Sequence, residues 1–398
     1  MFENLETLNP DPILGLMAAF KEDVNIKKID LGVGVYRDES GQTPIMNSVL
    51  EAQKLRHETE LTKAYIGPPG TPKFNELTRN LMFSINHSAI TDNRIAGVQT
   101  PGGCGALRVA AELIKRANPT TTIWVSNPTW ANHRPLLGNA GINIKEYAYY
   151  DSISRSLNET ALLTELDSVP AGDIVLLHGC CHNPSGVDLR KSHWEAIGQI
   201  ANKKGFTPFI DLAYQGLGEN LVKDAMGVQI LAKICPELIV ASSYSKNFGL
   251  YRERVGSLQI VGPSKKHTDI VQSQLGSVVR GIYSMPPAHG AAIVESILGN
   301  ERLEQLWRKE LEEMRDRINI LRSELANRLG SETDRDFSFI NTQRGMFSFL
   351  GISPEQVAKL QRDYAIYMVD SSRINVAGIN SSNIDYFVES MKSVLRET

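Results

Sequence analysis

Cysteine is scarce in this chain of 398 residues, and long apolar runs are absent. The four cysteines are Cys104, Cys180, Cys181 and Cys235, two of them adjacent, at no spacing that suggests a disulfide framework. That excludes a small cross-linked secreted scaffold and fits a reducing, cytoplasmic setting. No window approaches the ~20 apolar residues of a membrane span. The N-terminus, acidic at its start, lacks the basic n-region of a signal peptide. A soluble protein with no membrane partner is expected. Excess charge of one sign is lacking as well. The formal net charge is −3, so there is no broad basic field for nucleic acid, and a bound anion must be held by a few well-placed groups. Internal repeats and low-complexity tracts are also missing. What remains is ordinary globular composition, 42% hydrophobic and 22% charged, on a length that suggests one large and one smaller domain.

From about 95 to 261 the chain repeats strand, helix, strand, which points to an α/β architecture: a mostly parallel sheet with helices on both faces. The run DIVLLH (173–178) is continuously apolar, as a strand buried on both faces must be. Earlier, residues 27–44 read as a strand interrupted by Gly32 and Gly34. Gly34 is either a ligand contact or a plain bulge. Tyr65 opens the rigid loop YIGPPGTP, presented to a ligand or simply packed. The strand ending in TP (100–101) runs through Gly102, Gly103 and Cys104 into an amphipathic helix. Free N–H groups and the helix dipole there make an anion site, most naturally for a phosphate. GGCGAL is not the G-x-G-x-x-G dinucleotide fingerprint, and no acidic ribose ligand follows it. Trp130 follows the next strand and can stack on a planar ring or pack in the core.

Asn183, Asp211, Tyr214, Ser243 and Lys246 then fall, like Trp130, at C-terminal strand ends, where open α/β sheets bind ligands. His178, Cys180, Cys181 and His182 raise the question of zinc. A strand would point them to alternating faces, and no second ligand pair lies at metal-site spacing, so no metal is expected. A long charged helix over 301–329 leads into a smaller α+β region, where Arg373 begins a strand.

One stretch, SSYSKNFGLYRERVG (242–256), organises the rest. A lysine at the end of a buried strand and near a cation has its pKa pushed towards neutrality, which makes Lys246 a usable nucleophile and base. Together these residues solve one problem, the holding of pyridoxal 5′-phosphate. Lys246 forms the Schiff base, and the Asp211 carboxylate keeps the pyridine nitrogen protonated. Tyr214 and Asn183 hydrogen-bond the phenolate oxygen, and Trp130 covers a ring face. Gly103, Cys104, Ser243 and Arg254 meet the phosphate.

The order and spacing of DPILGL, LGVGVY, TPGGCGAL, HGCCHNPSG, DLAYQG, SYSKNFGLYRERVG, GMFSF and RINVAG resemble the class I aspartate aminotransferases, within the fold-type I pyridoxal phosphate enzymes, over essentially the whole chain. The resemblance implies a large domain (44–313) with a seven-stranded-type sheet, a small α+β domain (13–43 and 314–398) and an N-terminal arm (1–12). It implies Lys246 as Schiff-base lysine and catalytic base, with Asp211, Trp130 and Tyr65 in the catalytic set. The phosphate turn extends from Gly102, and Gly34 lies on the substrate side. Arg373 would clamp the α-carboxylate of the amino acid or 2-oxo acid, beside Asn183 and Trp130. Arg280 would clamp the distal carboxylate. Tyr65 and Arg280 would serve the neighbouring subunit's site, in a homodimer whose arm crosses over. Ile13 and Leu14 would cap the site on domain closure.

The implied reaction is ping-pong transfer of the amino group of L-aspartate to 2-oxoglutarate. An aromatic or broad-specificity aminotransferase is the alternative, and Val35, Arg37 and Thr43 look like the aspartate type. A decarboxylase or lyase fits two carboxylate-clamping arginines poorly, and a non-catalytic module is contradicted by the full set of catalytic residues. The chain departs from the family's usual pattern at Cys104, where a hydroxyl is common, and at Ala64 and Met285 near the substrate.

Overall fold

The structure is a computed structural model that describes residues 1–7 and 12–396. Residues 8–11 of the expected arm lie outside the described residues, as do 397–398. The chain forms two compact units.

The larger unit comprises residues 43–316 and 343–345. Its centre is a sheet of seven strands: β1 (Ile95–Pro101), β2 (Thr122–Asn127), β3 (Asn143–Ala148), β4 (Ile174–His178), β5 (Thr207–Leu212), β6 (Leu238–Ser243) and β7 (Val255–Val261). Across the sheet they lie in the order β1-β7-β6-β5-β4-β2-β3. All neighbours are parallel except β7, which runs antiparallel to both β1 and β6. β4, β6 and β7 are buried along their whole length, which explains their near-continuous apolar composition. The helix after β1, Gly102–Ala117, packs Leu107, Val109, Ala110 and Ile114 into a core with Val98, Phe209, Ile239 and Leu258. Each large side chain so buried contributes roughly 1.5–3 kcal/mol, which pins the first turn of that helix at the sheet edge.

The one antiparallel strand matters for chemistry. Gly256 of β7 pairs with Ser243 at the end of β6 and with Thr100 near the end of β1. Its reversed direction therefore brings Arg254, just ahead of the strand, to the same edge as the carboxyl ends of β1, β5 and β6.

The smaller unit comprises residues 1–42, 317–342 and 346–398. It pairs Phe347–Phe349 antiparallel with Arg373–Asn375, and Ile29–Asp30 parallel with Ile366–Tyr367. The helices Pro12–Glu22, Pro354–Tyr364 and Ile384–Arg396 complete it, with a core that includes Leu31, Leu325, Phe337, Leu360 and Phe387. The helix Glu301–Glu332 supplies its first turns to one unit and, from Arg317, its last turns to the other.

One expectation is corrected here. The strand anticipated across 27–44 ends at Asp30. The Asp30 carboxylate accepts from the N–H groups of Gly32 and Val33, at 3.0 and 3.4 Å, and turns the backbone away from a ladder. Gly34 is therefore not a bulge within a strand. A Cβ there would come within 2.7 Å of Phe347 Cζ, so close packing on that ring requires glycine.

Candidate active site

The carboxyl edge of the sheet collects the polar residues of the larger unit. His178, the last residue of β4, pairs with Asp211 on β5, and Leu212 pairs with Ser242 on β6. Asp211 is buried, and its Oδ2 lies 3.0 Å from His133 Nε2. Burial alone would raise the carboxyl's pKa. The His133 hydrogen bond, with the attraction of the Lys246 charge, outweighs it and holds Asp211 below the usual carboxylate value. A carboxylate kept ionised in a water-poor pocket is suited to hold a proton on a basic ring nitrogen.

A polar relay stands behind this carboxylate. Thr129 Oγ1 lies 2.7 Å from His133 Nδ1 and 3.2 Å from His178 Nε2. His182 lies 3.0 Å from Ser126 Oγ and 2.8 Å from Ser185 Oγ, and stacks on Tyr149 with ring centroids 4.1 Å apart. Burial pushes the His178 imidazole down to about 3, with His133 adding to the effect, and pushes His182 well below its ordinary value. Both rings are neutral at physiological pH; His178 shares Thr129 Oγ1 with His133 and so helps orient it without adding charge, whereas His182 is held by the two serines.

Lys246 lies just past β6, its Nζ 4.9 Å from the centroid of the Tyr214 ring. Burial lowers its pKa. Asp211 and Cys104 pull the other way, and Arg254 adds to the lowering. Among the described residues its amine makes no hydrogen bond, which leaves the nitrogen for a carbonyl carbon. Asn183 Nδ2 approaches the Tyr214 hydroxyl at 3.5 Å. Trp130 sits edge-on to His133, centroids 5.3 Å apart, and packs against the core.

The anion cup is built from three elements. The helix Gly102–Ala117 begins after Pro101, which offers no side-chain cap, so its first N–H groups remain for a ligand. Ser243 Oγ donates to Ser245 Oγ at 3.2 Å. Arg254 donates to Ser245 Oγ and to the Tyr251 carbonyl, at 3.3 and 3.0 Å. Gly102 has φ +73°, and a Cβ there would overlap Arg254 Nη2. Glycine is thus required for both the turn and the approach of the guanidinium.

Comparison with known proteins decides what this edge belongs to. Residues 26–391 match the family model for aminotransferase class I and II. The chain is 45% identical to the aspartate aminotransferase of Escherichia coli over 396 residues, covering 99% of this chain and all of that one. It is 41% identical to the aromatic-amino-acid aminotransferase of Pseudomonas aeruginosa, covering 99% and 98%. A crystal structure of the aromatic-amino-acid aminotransferase from Burkholderia pseudomallei, covalently bound to pyridoxal phosphate, superposes with a TM-score of 0.97 at 40% identity, covering 99% of both chains. The chain belongs to the class I and II aminotransferases.

This aminotransferase is a pyridoxal-phosphate-dependent enzyme, and its residues fit that group. An ionised buried carboxylate suits a pyridinium nitrogen, an amine without a hydrogen bond suits an aldehyde, and a glycine turn with serine and arginine suits a phosphate.

Of the other expected residues, Tyr65 and Arg280 belong to the larger unit and Gly34 and Arg373 to the smaller. Tyr65 is 91% exposed. Arg280 is exposed in the last turn of the helix Lys265–Ile282, bonded to Ser284 Oγ. In the smaller unit the buried Arg373 donates to the Gly32 carbonyl at 2.5 Å, with its guanidinium carbon 4.4 Å from the Phe347 centroid. The contact between His133 and Asp211 escaped the sequence reading. Its one local signal was a histidine three residues after Trp130, at a strand end. Asp224 was also missed. Its carboxylate joins Cys180 and Cys181 in a buried group with ligand atoms within 4.8 Å of one another. That carboxylate already accepts from the N–H groups of Gly216, Gly218 and Glu219, at 2.8–2.9 Å. Burial holds the Cys180 thiol far above its usual pKa, so it stays protonated.

Proposed function

We propose that this aminotransferase moves the amino group of L-aspartate to 2-oxoglutarate, giving oxaloacetate and L-glutamate, as a cytoplasmic homodimer with shared sites. The observation that carries the chemistry is the ionised Asp211, braced by His133, beside a lysine whose pKa is lowered by burial. The cofactor, when bound, supplies an electron-accepting ring that stabilises negative charge at the substrate Cα.

Every other task falls to the chain. Asp211 holds the proton on the ring nitrogen. Tyr214 and Asn183 donate to the phenolate oxygen, and Trp130 covers the ring. The N–H groups of Gly102, Gly103 and Cys104, with Ser243 and Arg254, hold the phosphate. With the cofactor bound, the Lys246 amine, its pKa lowered by burial, would serve as the base that carries the substrate Cα proton. Arg373 takes the α-carboxylate, with Gly34 and Asn183 on the same side. Arg280 takes the distal carboxylate in the neighbouring subunit's site, where Tyr65 also serves.

Support for the dimer comes from side chains that a monomer leaves in water. Ile45 is 59% exposed, Leu61 96% and Tyr65 91%, an apolar set within one stretch of chain. The cytoplasmic assignment is supported by four free thiols. No described helix is long and apolar enough to cross a membrane. Aromatic substrates are a second reading. Among the described residues Arg280 is held only by the Ser284 hydroxyl, an anchor light enough for the guanidinium to move aside. With 2-oxoglutarate as acceptor, kcat/KM for aspartate should exceed that for phenylalanine; the reverse order would replace the first reading with the second.

A further inference from the structure

The phosphate cup contains a thiol. Cys104 stands in the first turn of the helix Gly102–Ala117, beside Gly103, whose added Cβ would sit 3.0 Å from Ser243 Cβ. Asn132 Nδ2 is 4.0 Å from its sulfur. Burial raises the thiol's pKa, against Arg254 and Lys246, which lower it. The other three cysteines are buried, with 6%, 1% and 4% exposure for Cys180, Cys181 and Cys235, whereas Cys104 is only partly buried. The least buried of the four cysteines therefore lies at the anion cup, where the N–H groups of the helix start, Ser243 and the Arg254 guanidinium come together.

We propose that Cys104 makes cofactor loading and thiol modification mutually exclusive in this enzyme. The phosphate shields the sulfur when the site is full, and a modified sulfur refuses the phosphate when the site is empty. The inference rests on the reading of this edge as the pyridoxal phosphate site. Two effects work together. A thiol is a weaker hydrogen-bond donor than a hydroxyl, so Cys104 contributes little to retention of the phosphate and the empty site is visited more often. Any adduct on the sulfur fills the cup that Gly102 and Gly103 keep clear. The natural modifier is a low-molecular-weight disulfide. The Cys104 thiolate attacks one sulfur of that disulfide, a new S–S bond forms, and the other sulfur leaves as a thiolate that takes up the proton. Excess thiol reverses the exchange. By linkage, the factor by which cofactor lowers the equilibrium constant for adduct formation is the factor by which the adduct lowers cofactor affinity.

The test uses full-length protein with and without cofactor. Both forms are treated with oxidised glutathione and separately with iodoacetamide. Labelling of each cysteine is followed by peptide mass spectrometry, and cofactor uptake by absorbance. Cys104 is expected to label first in the empty form and at least about tenfold more slowly in the loaded form. The labelled protein should bind cofactor at least about tenfold more weakly, with binding restored by dithiothreitol only in the glutathione arm. Cys104→Ser should bind cofactor at least as tightly as wild type and keep doing so after either reagent. Equal labelling of both forms, or unchanged cofactor affinity after stoichiometric labelling at Cys104, overturns the proposal. Failure of untreated protein to take up pyridoxal phosphate at all would be a different result. It would overturn the assignment of the site itself, and this inference with it.

Discussion

Replacing Asp211 with asparagine isolates charge from shape. The amide keeps the volume and one acceptor for His133, now 3.0 Å away, but cannot hold a proton on a ring nitrogen. A carboxylate and a protonated ring nitrogen in hydrogen-bond contact, about 3 Å apart at an effective dielectric near 20, attract by roughly 5.5 kcal/mol. A single charge-assisted hydrogen bond contributes about 1.5–3 kcal/mol. These bracket the expected loss at about 10- to 10⁴-fold in kcat, because each 1.36 kcal/mol is tenfold. Lys246 changes too, since the Asp211 charge raises its pKa and the amide lets that pKa fall further. The assay is stopped-flow absorbance of the cofactor on mixing with aspartate, with thermal melting as a control for folding. Asp211→Glu, which restores the charge on a longer arm, should recover part of the rate. An asparagine variant within about threefold of wild type, or a glutamate variant no better than asparagine, would refute the reasoning.

Three further outcomes follow from the same geometry. Gly102→Ala places a methyl on Arg254 Nη2 and strains a φ of +73°, so cofactor affinity by equilibrium titration should weaken about tenfold or more; an unchanged affinity would separate Arg254 from the phosphate. Arg280→Ala removes a two-pronged guanidinium, and kcat/KM for aspartate should fall about 10²- to 10³-fold while that for phenylalanine changes little; equal losses would contradict the clamp. His178, held down to about 3 against ~6.5 when unfolded, contributes stability that is present above pH ~6.5 and lost as pH falls towards 3. Asp188, raised to about 6 by burial, acts in the opposite sense, but it is common to wild type and His178→Gln. The difference in unfolding free energy between the two cofactor-free proteins should therefore change by up to ~1.4 kcal/mol per pH unit below 6; a constant difference would show that His178 does not stay neutral.

The fold was legible wherever burial on two faces wrote itself into composition. The four apolar residues of β4 and the fully buried β6 could not be taken for surface strands, and the alternation with amphipathic helices implied parallel order. Residues 31–36 were misleading, because the alternation of valine and glycine imitates a strand while the Asp30 carboxylate captures the backbone that a strand would pair. Residues at strand ends came into view as a group for the same topological reason. The bracing of Asp211 did not. His133 is 78 residues away, and their contact depends on β2 lying two places from β5 in the sheet, with only β4 between. No local spacing carries that information. Asp224 was hidden likewise, since its role is to accept backbone N–H groups of the loop before it.

The most direct measurement is the isolated half-reaction. Cofactor-loaded protein mixed with aspartate and no acceptor should release one oxaloacetate per active chain without carbon dioxide. Subsequent 2-oxoglutarate should yield an equal amount of glutamate, and Lys246→Ala should do neither catalytically. Product formation that requires both substrates together, release of carbon dioxide, or full turnover by Lys246→Ala would contradict the account.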